Sequence, residues 1–295
     1  MKKTVFTGMA TALVTPMTPT GIDYPALGRL IDFQIEKGVN ALVAMGTTGE
    51  NATIEPEDQT EVIRFTVQRA AGRVPVIAGT GTNNTAHVIE NTKNACEAGA
   101  DAVLVVTPYY NKATQNGLIA HFTAVADVST VPVIVYNVPG RTGCNIQPKT
   151  LAVLAEHPNI VAIKEASGNM AQFMEMMRLC GDKIAIYSGE DALTAPMMSM
   201  GCKGAISVLS NVVPEHAVAM TSAALAGDFT EATRLQLSLL PLIDALFSQV
   251  NPIPAKAAVS AMGFGEEILR MPLTPLEEPF RTKLFEEMKK LGVKL

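Results

Sequence analysis

One pattern recurs along the first three-quarters of the chain: a short run rich in Val, Ile and Ala, a polar loop, then a longer amphipathic stretch that closes on Gly or Pro. Short apolar runs bounded by turn residues predict buried strands, and their alternation with stretches of helical period predicts βα units around a parallel sheet. The strands are expected at residues 10–14, 41–45, 74–78, 102–106, 133–136, 161–164, 184–187 and 205–208. Helices are expected between them at 24–37, 57–71, 85–98, 115–126, 148–156, 170–180 and 192–200, several preceded by an Asp, Asn or Thr able to cap. A series of eight such strands predicts an α/β fold of the closed (β/α)8 TIM-barrel type. After Pro214 the strand pattern stops, and helical patterns at 215–226, 229–250, 254–262 and 276–291 predict a C-terminal helical appendage. The expected division is a barrel over residues 1–225 and an α-helical region over 226–295.

A doubly wound sheet is the competing architecture, and it would carry a Gly-rich turn after its first strand. That position reads Val14-Thr-Pro-Met-Thr-Pro19, and the nearest glycine cluster, Gly79-Thr-Gly-Thr-Asn-Asn84, does not fit the dinucleotide fingerprint. Neither a Walker A loop nor a Gly-x-Ser-x-Gly elbow is present.

Composition narrows the partners. With 295 residues, 48% hydrophobic and 17% charged, the chain can bury a large core, and a net charge of -5 without a basic patch argues against nucleic acid. No run approaches the length needed to span a bilayer or serve as a signal sequence, so a soluble, cytoplasmic protein without a membrane partner is expected. Cys96, Cys144, Cys180 and Cys202 form no Cys-x-x-Cys pair, and His87, His121, His157 and His216 lack ligand spacing. No metal is therefore expected.

In a (β/α)8 barrel the chemistry sits at the C-terminal ends of the strands. Four expected ends are conspicuously polar: Gly46-Thr-Thr-Gly-Glu50, Pro108-Tyr-Tyr-Asn111, Tyr136-Asn-Val-Pro-Gly-Arg-Thr-Gly143 and Lys164-Glu-Ala-Ser167. Lys164 follows the apolar run Ile160-Val-Ala-Ile163, where desolvation disfavours an ammonium and favours the nucleophilic amine. A free lysine has only about one amine in a few thousand neutral at pH 7, so such an environment matters for Schiff-base chemistry. The alternative is a structural ion pair with Glu165 or Glu190.

Tyr136 ends the neighbouring strand, where its phenol can move protons if hydroxyl partners such as Thr47 and Tyr110 assist it. Packing with a wet hydroxyl is the plainer reading of that tyrosine, and a simple turn is the plainer reading of Gly46-Thr-Thr-Gly49. Arg141, on a stiff Pro-Gly-Arg-Thr-Gly loop, can grip a carboxylate in bidentate fashion or stand solvated. Thr48 and the amides around it can bind a second carboxylate. The Met-rich stretches at 174–177 and 197–200 read as core filler.

Taken in order, the four strand ends resemble the dihydrodipicolinate synthase family of pyruvate-dependent class I aldolases, relatives of N-acetylneuraminate lyase. The resemblance also takes in Ala12-Leu-Val-Thr-Pro16, Ser188-Gly-Glu-Asp191 and Gly204-Ala-Ile-Ser207, and so covers nearly the whole chain. It implies condensation of pyruvate with L-aspartate 4-semialdehyde in diaminopimelate and lysine biosynthesis. Lys164 would form the imine and Tyr136 would shuttle the proton, in a relay with Thr47 and a Tyr110 contributed by the neighbouring subunit. Thr48 and the Ile206 main chain would hold the pyruvate carboxylate, Gly189 would line the pocket, and Arg141 would meet the carboxylate of the semialdehyde. The family is typically a homotetramer built from two tight dimers and needs no cofactor.

In lysine-inhibited relatives a tyrosine and an asparagine, matched here by Tyr109 and Asn83, hold the effector together with a carboxylate and often a histidine. At those last two places this sequence has His87 and Gln59. A histidine offers no negative charge to an ammonium, so weak or absent lysine feedback is expected. Two rival functions remain: a sugar-acid aldolase or N-acetylneuraminate lyase, against which Arg141 speaks, and a non-catalytic pyruvate-sensing barrel, which should show damage at Tyr136, Thr47 or Tyr110.

Overall fold

In the computed structural model of the protein, which describes residues 2–295, eight parallel strands close into a barrel. Met1, where the expected barrel region begins, lies outside the described residues. The strands are β1 (Gly8–Ala12), β2 (Ala41–Ala44), β3 (Val76–Gly79), β4 (Ala102–Val106), β5 (Val133–Asn137), β6 (Ile160–Glu165), β7 (Ala185–Ser188) and β8 (Gly204–Ser207). Each pairs with its neighbour in sequence, and β8 returns to β1. The expected strands are thus all present, shifted by at most two residues at either end.

The closing seam explains one such shift. β1 begins at Gly8, which pairs with Gly204, and a Cβ on Gly204 would stand 1.9 Å from the Gly8 carbonyl oxygen. Gly8 therefore belongs to the strand although glycine reads as a turn signal. A two-residue hairpin, Met17–Thr18 with Gly21–Ile22, was not expected and is too short to leave a sequence pattern.

Alternation along each strand splits the core in two. Inward side chains such as Ala10, Ile77, Leu104, Ile134 and Ala162 fill the barrel, while outward ones such as Val103, Val135, Ile163 and Ile186 pack under the helices. The floor of the barrel is closed by Phe6 stacked on Tyr187, ring centroids 4.2 Å apart, with the Tyr187 hydroxyl donating to the Phe6 carbonyl at 2.7 Å. The C-terminal region forms helices Pro214–Leu225, Phe229–Leu246, Ile253–Ala261 and Glu278–Lys290. Among the described residues no helix is long and apolar enough to cross a membrane.

Candidate active site

Tyr136 and Lys164 occupy the same rung of the barrel, on β5 and β6. Both share strand parity with the inward residues Ile134 and Ala162, so both point into the barrel at its C-terminal mouth. Lys164 Nζ lies 4.3 Å from the centroid of the Tyr136 ring. Lys164 is 6% exposed, yet among the described residues no carboxylate comes within ion-pair distance of it. The candidate ion pairs fail for separate reasons. Glu165 follows Lys164 on the strand, faces the other way and accepts from Asn137 Nδ2 and the Ser167 amide, each at 2.9 Å. Glu190 lines the same cavity as Lys164 without forming a salt bridge to it. Burial raises the pKa of both carboxyls, and the neighbouring Asp191 raises that of Glu190 further.

Above the lysine opens a cavity of about 540 Å³ lined by Thr47, Thr48, Tyr136, Arg141, Lys164 and Gly189, among others. The strand ends read from the sequence therefore meet at one place. The Gly46–Glu50 segment after β2 tightens into a 3-10 turn at Thr47–Gly49 that presents both threonines. Arg141 sits not in an open loop but in a single helical turn, Pro139–Thr142, for which Pro at its first position is the local signal. Its guanidinium is exposed at the cavity mouth and makes no ion pair among the described residues. Gly189 lies against the lysine itself: a Cβ there would stand 2.8 Å from Lys164 Cε.

Other residues are not gathered in. Tyr110 is 88% exposed, with a left-handed backbone at φ 73°, and lies outside the cavity. Thr47 and Tyr136 share the cavity without a direct hydrogen bond among the described residues. Ile206 is buried in the barrel interior. Tyr109 lines the cavity, whereas Asn83 does not, and the Asn83 carbonyl accepts from Asn111 Nδ2 at 2.9 Å. His87 is exposed, and the Gln59 amide is spent on the carbonyls of Asn51 and Ile54.

Two contributors escaped the sequence reading. Asn251, from the C-terminal region, lines the cavity and donates to Thr48 Oγ1 at 3.0 Å. Asp191, fully buried and with its pKa raised by that burial, accepts from the amides of Val208 and Leu209, each at 2.9 Å, and so fixes the turn after β8.

A buried amine at the mouth of a (β/α)8 barrel, faced by a phenol and ringed by hydroxyl donors and a free guanidinium, is a site built for covalent capture of a small carbonyl acid. The chain matches the model of the Dihydrodipicolinate synthetase family over residues 5–291, and it belongs to that family. A 4-hydroxy-tetrahydrodipicolinate synthase from Geobacter sulfurreducens is 49% identical over 97% of this chain and 98% of its own. The crystal structure of dihydrodipicolinate synthase from Aquifex aeolicus superposes with a TM-score of 0.96 at 44% identity, over 98% of this chain and 99% of that one. The chloride-inhibited enzyme from Acinetobacter baumannii, complexed with pyruvate, superposes with a TM-score of 0.96 at 42% identity, over 98% and 100% of the two chains.

Proposed function

We propose that this protein is a 4-hydroxy-tetrahydrodipicolinate synthase, condensing pyruvate with L-aspartate 4-semialdehyde through a Schiff base on Lys164. The observation that carries the reading is the Lys164 amine itself, buried at the barrel mouth against the Tyr136 ring and free of a carboxylate. Attack of its nitrogen on C2 of pyruvate expels water and gives an imine. Loss of a C3 proton then gives an enamine, whose C3 bonds to the aldehyde carbon of the second substrate. The amino group of that substrate attacks C2, closes the ring and frees Lys164. Tyr136 is the group placed to carry protons in these steps, with Thr47 beside it in the cavity.

Two carboxylates need two anchors. Thr48 and the amides of its turn suit pyruvate at the bottom, with Gly189 beside it, and Arg141 suits the semialdehyde at the mouth. That guanidinium favours a carboxylate-bearing aldehyde over a sugar aldehyde, and the retention of Tyr136 and Thr47 disfavours a mere pyruvate sensor. The exposed Tyr110 is supplied to the relay of a neighbouring copy, which fits assembly as a homotetramer of two dimers. Lysine feedback is weak or absent, because His87 and Gln59 offer an effector ammonium no negative charge; inhibition by sub-millimolar lysine refutes this.

Borohydride reduction with pyruvate present, followed by peptide mass mapping, tests the core of the proposal. Labelling at Lys164 is expected, and labelling elsewhere or nowhere defeats the mechanism. Turnover of aspartate semialdehyde against N-acetylmannosamine then separates the synthase from a sugar lyase.

A further inference from the structure

The turn that presents Thr47 and Thr48 is held at both ends by backbone that non-glycine residues rarely adopt: Met45 at φ 54° and Glu50 at φ 59°. Such conformations persist only where the surroundings impose them. Around Glu50 the surroundings are a buried ion pair. Its Oε1 lies 2.8 Å from Lys256 Nζ, the two side chains being 0% and 2% exposed. Glu50 Oε2 accepts from the Arg270 amide at 3.1 Å. Lys256 Nζ also donates to the carbonyls of Thr15, at 2.5 Å, and Ile268, at 3.0 Å, while its contact with Glu50 Oε1 is an ion pair outside hydrogen-bond alignment. Thr15 in turn donates through Oγ1 to the Gly49 carbonyl at 2.8 Å. Residues 251–270 thus grip the turn from behind at three points: Asn251 on Thr48, Lys256 on Glu50 and the Arg270 amide on Glu50.

An ion pair is a poor choice where stability alone is at stake, because desolvation offsets most of the attraction and apolar replacements of similar volume are often as stable. The hydrogen bonds that its two members make with the backbone, Lys256 to the Thr15 and Ile268 carbonyls and the Arg270 amide to Glu50, do something an apolar contact does not: they fix one orientation of the turn. Burial opposes the charged form of Lys256, and Glu50 offsets that opposition, so the two groups depend on each other. Neither is among the cavity's lining residues, so their effect on chemistry runs through the turn.

We propose that Glu50 and Lys256 are positioning residues for the turn that holds the pyruvate carboxylate, which makes the C-terminal helical region a working part of the active site. The inference rests on the reading of Thr48 and its neighbouring amides as the pyruvate anchor.

The test compares the parent with Glu50→Gln, Lys256→Met and the apolar double variant Glu50→Leu/Lys256→Met. Each is followed by Tm, by kcat and KM for both substrates, and by the pyruvate dependence of borohydride trapping at Lys164. Glu50→Gln keeps shape and removes charge. It is expected to raise the pyruvate concentration at half-trapping about tenfold, equivalent to about 1.4 kcal/mol, while the semialdehyde KM stays at the parent's value. The double variant is expected to recover the Tm lost by Lys256→Met and to keep the weakened pyruvate binding. Single variants that lose Tm with unchanged half-trapping overturn the inference, as does a loss shared equally by both substrates or a double variant that recovers pyruvate binding. If the double variant does not fold, Glu50→Gln alone decides. A parent that traps no pyruvate at Lys164 defeats the aldolase reading together with this one; a parent that traps, with variants unaltered, defeats only this one.

Discussion

Replacing Gly189 by alanine puts a methyl group directly against the reacting lysine. The new Cβ would stand 2.8 Å from Lys164 Cε and from Ala166 Cβ, and 2.9 Å from Lys164 Cγ. Carbon atoms in contact rest at about 3.5–4.0 Å, so something must retreat by about 0.7–1.2 Å. Gly189 is not in the left-handed region, so the substitution carries no backbone strain of its own. Ala166 is tied down, its amide bonded to the Asn137 carbonyl at 2.9 Å, and the Gly189 amide is itself bonded to the Glu165 carbonyl at 2.7 Å. The Lys164 side chain is the movable partner. Overpacking of this kind costs about 1–3 kcal/mol in stability. A reacting group displaced by about 1 Å costs about 10²-fold in rate, or about 2.7 kcal/mol, so the loss in chemistry should be at least comparable to the loss in stability. The assay is the rate of pyruvate-dependent borohydride trapping at Lys164, read beside kcat and Tm. A folded Gly189→Ala protein that traps pyruvate and turns over at the parent's rates refutes the placement of the lysine against this glycine.

Three further outcomes follow from the same geometry. Arg141→Ala removes charged hydrogen bonds worth about 1.5–3 kcal/mol, so the semialdehyde KM should rise about 10- to 100-fold with pyruvate trapping unchanged; a rise in pyruvate half-saturation instead would misplace the guanidinium. Mixing inactive Lys164→Ala and Tyr110→Phe proteins after reversible dissociation should regain activity, because hybrid pairs contain one site with both groups intact. Failure to regain it, with hybrid formation verified by native mass spectrometry, counts against a shared tyrosine. His121 is buried with its Nε2 unpartnered, and burial lowers its pKa from 6.5 to about 4. The unfolded chain then takes up a proton that the folded chain refuses, so this stability is full above pH 6.5 and drains as pH falls toward 4. The loss reaches about 2 kcal/mol by pH 5. His121→Leu should abolish that part of the acid sensitivity in urea titrations at pH 7 and 5, and equal slopes for both proteins would refute it.

The strands were legible because each is buried on both faces and so reads as an apolar run, the signature of a parallel barrel. Helix ends were less so. The helix expected over 229–250 ends at Leu246, where Phe247 leaves it to line the cavity. The stretch at 192–200 opens as a 3-10 turn at Asp191–Leu193 before the helix Thr194–Ser199. There Asp191 turns its carboxylate to the amides after β8. In the site, position at strand ends singled out the candidate residues, while their roles came from the resemblance to the family. Asn251 and Lys256 were not among them, since Asn251 lies 203 residues from its partner Thr48, and no local pattern encodes a contact of that span.

Whether Lys164 is tied up in an ion pair turns on the strand period. An ion pair with Glu165 is the obvious reading of adjacent opposite charges in a sequence, yet neighbours on a strand face opposite sides of the sheet. Glu165 therefore spends its oxygens among Asn137, Ser167 and Gln172 outside the barrel, and the lysine is left inside against an aromatic face. An ammonium locked onto a carboxylate would have to break that pair before a ketone could reach its nitrogen. A ring face 4.3 Å away leaves the approach from the cavity open. The strand period that turns Tyr136 inward on β5 and Lys164 inward on β6 thus also turns Glu165, the lysine's nearest competitor, out of the barrel.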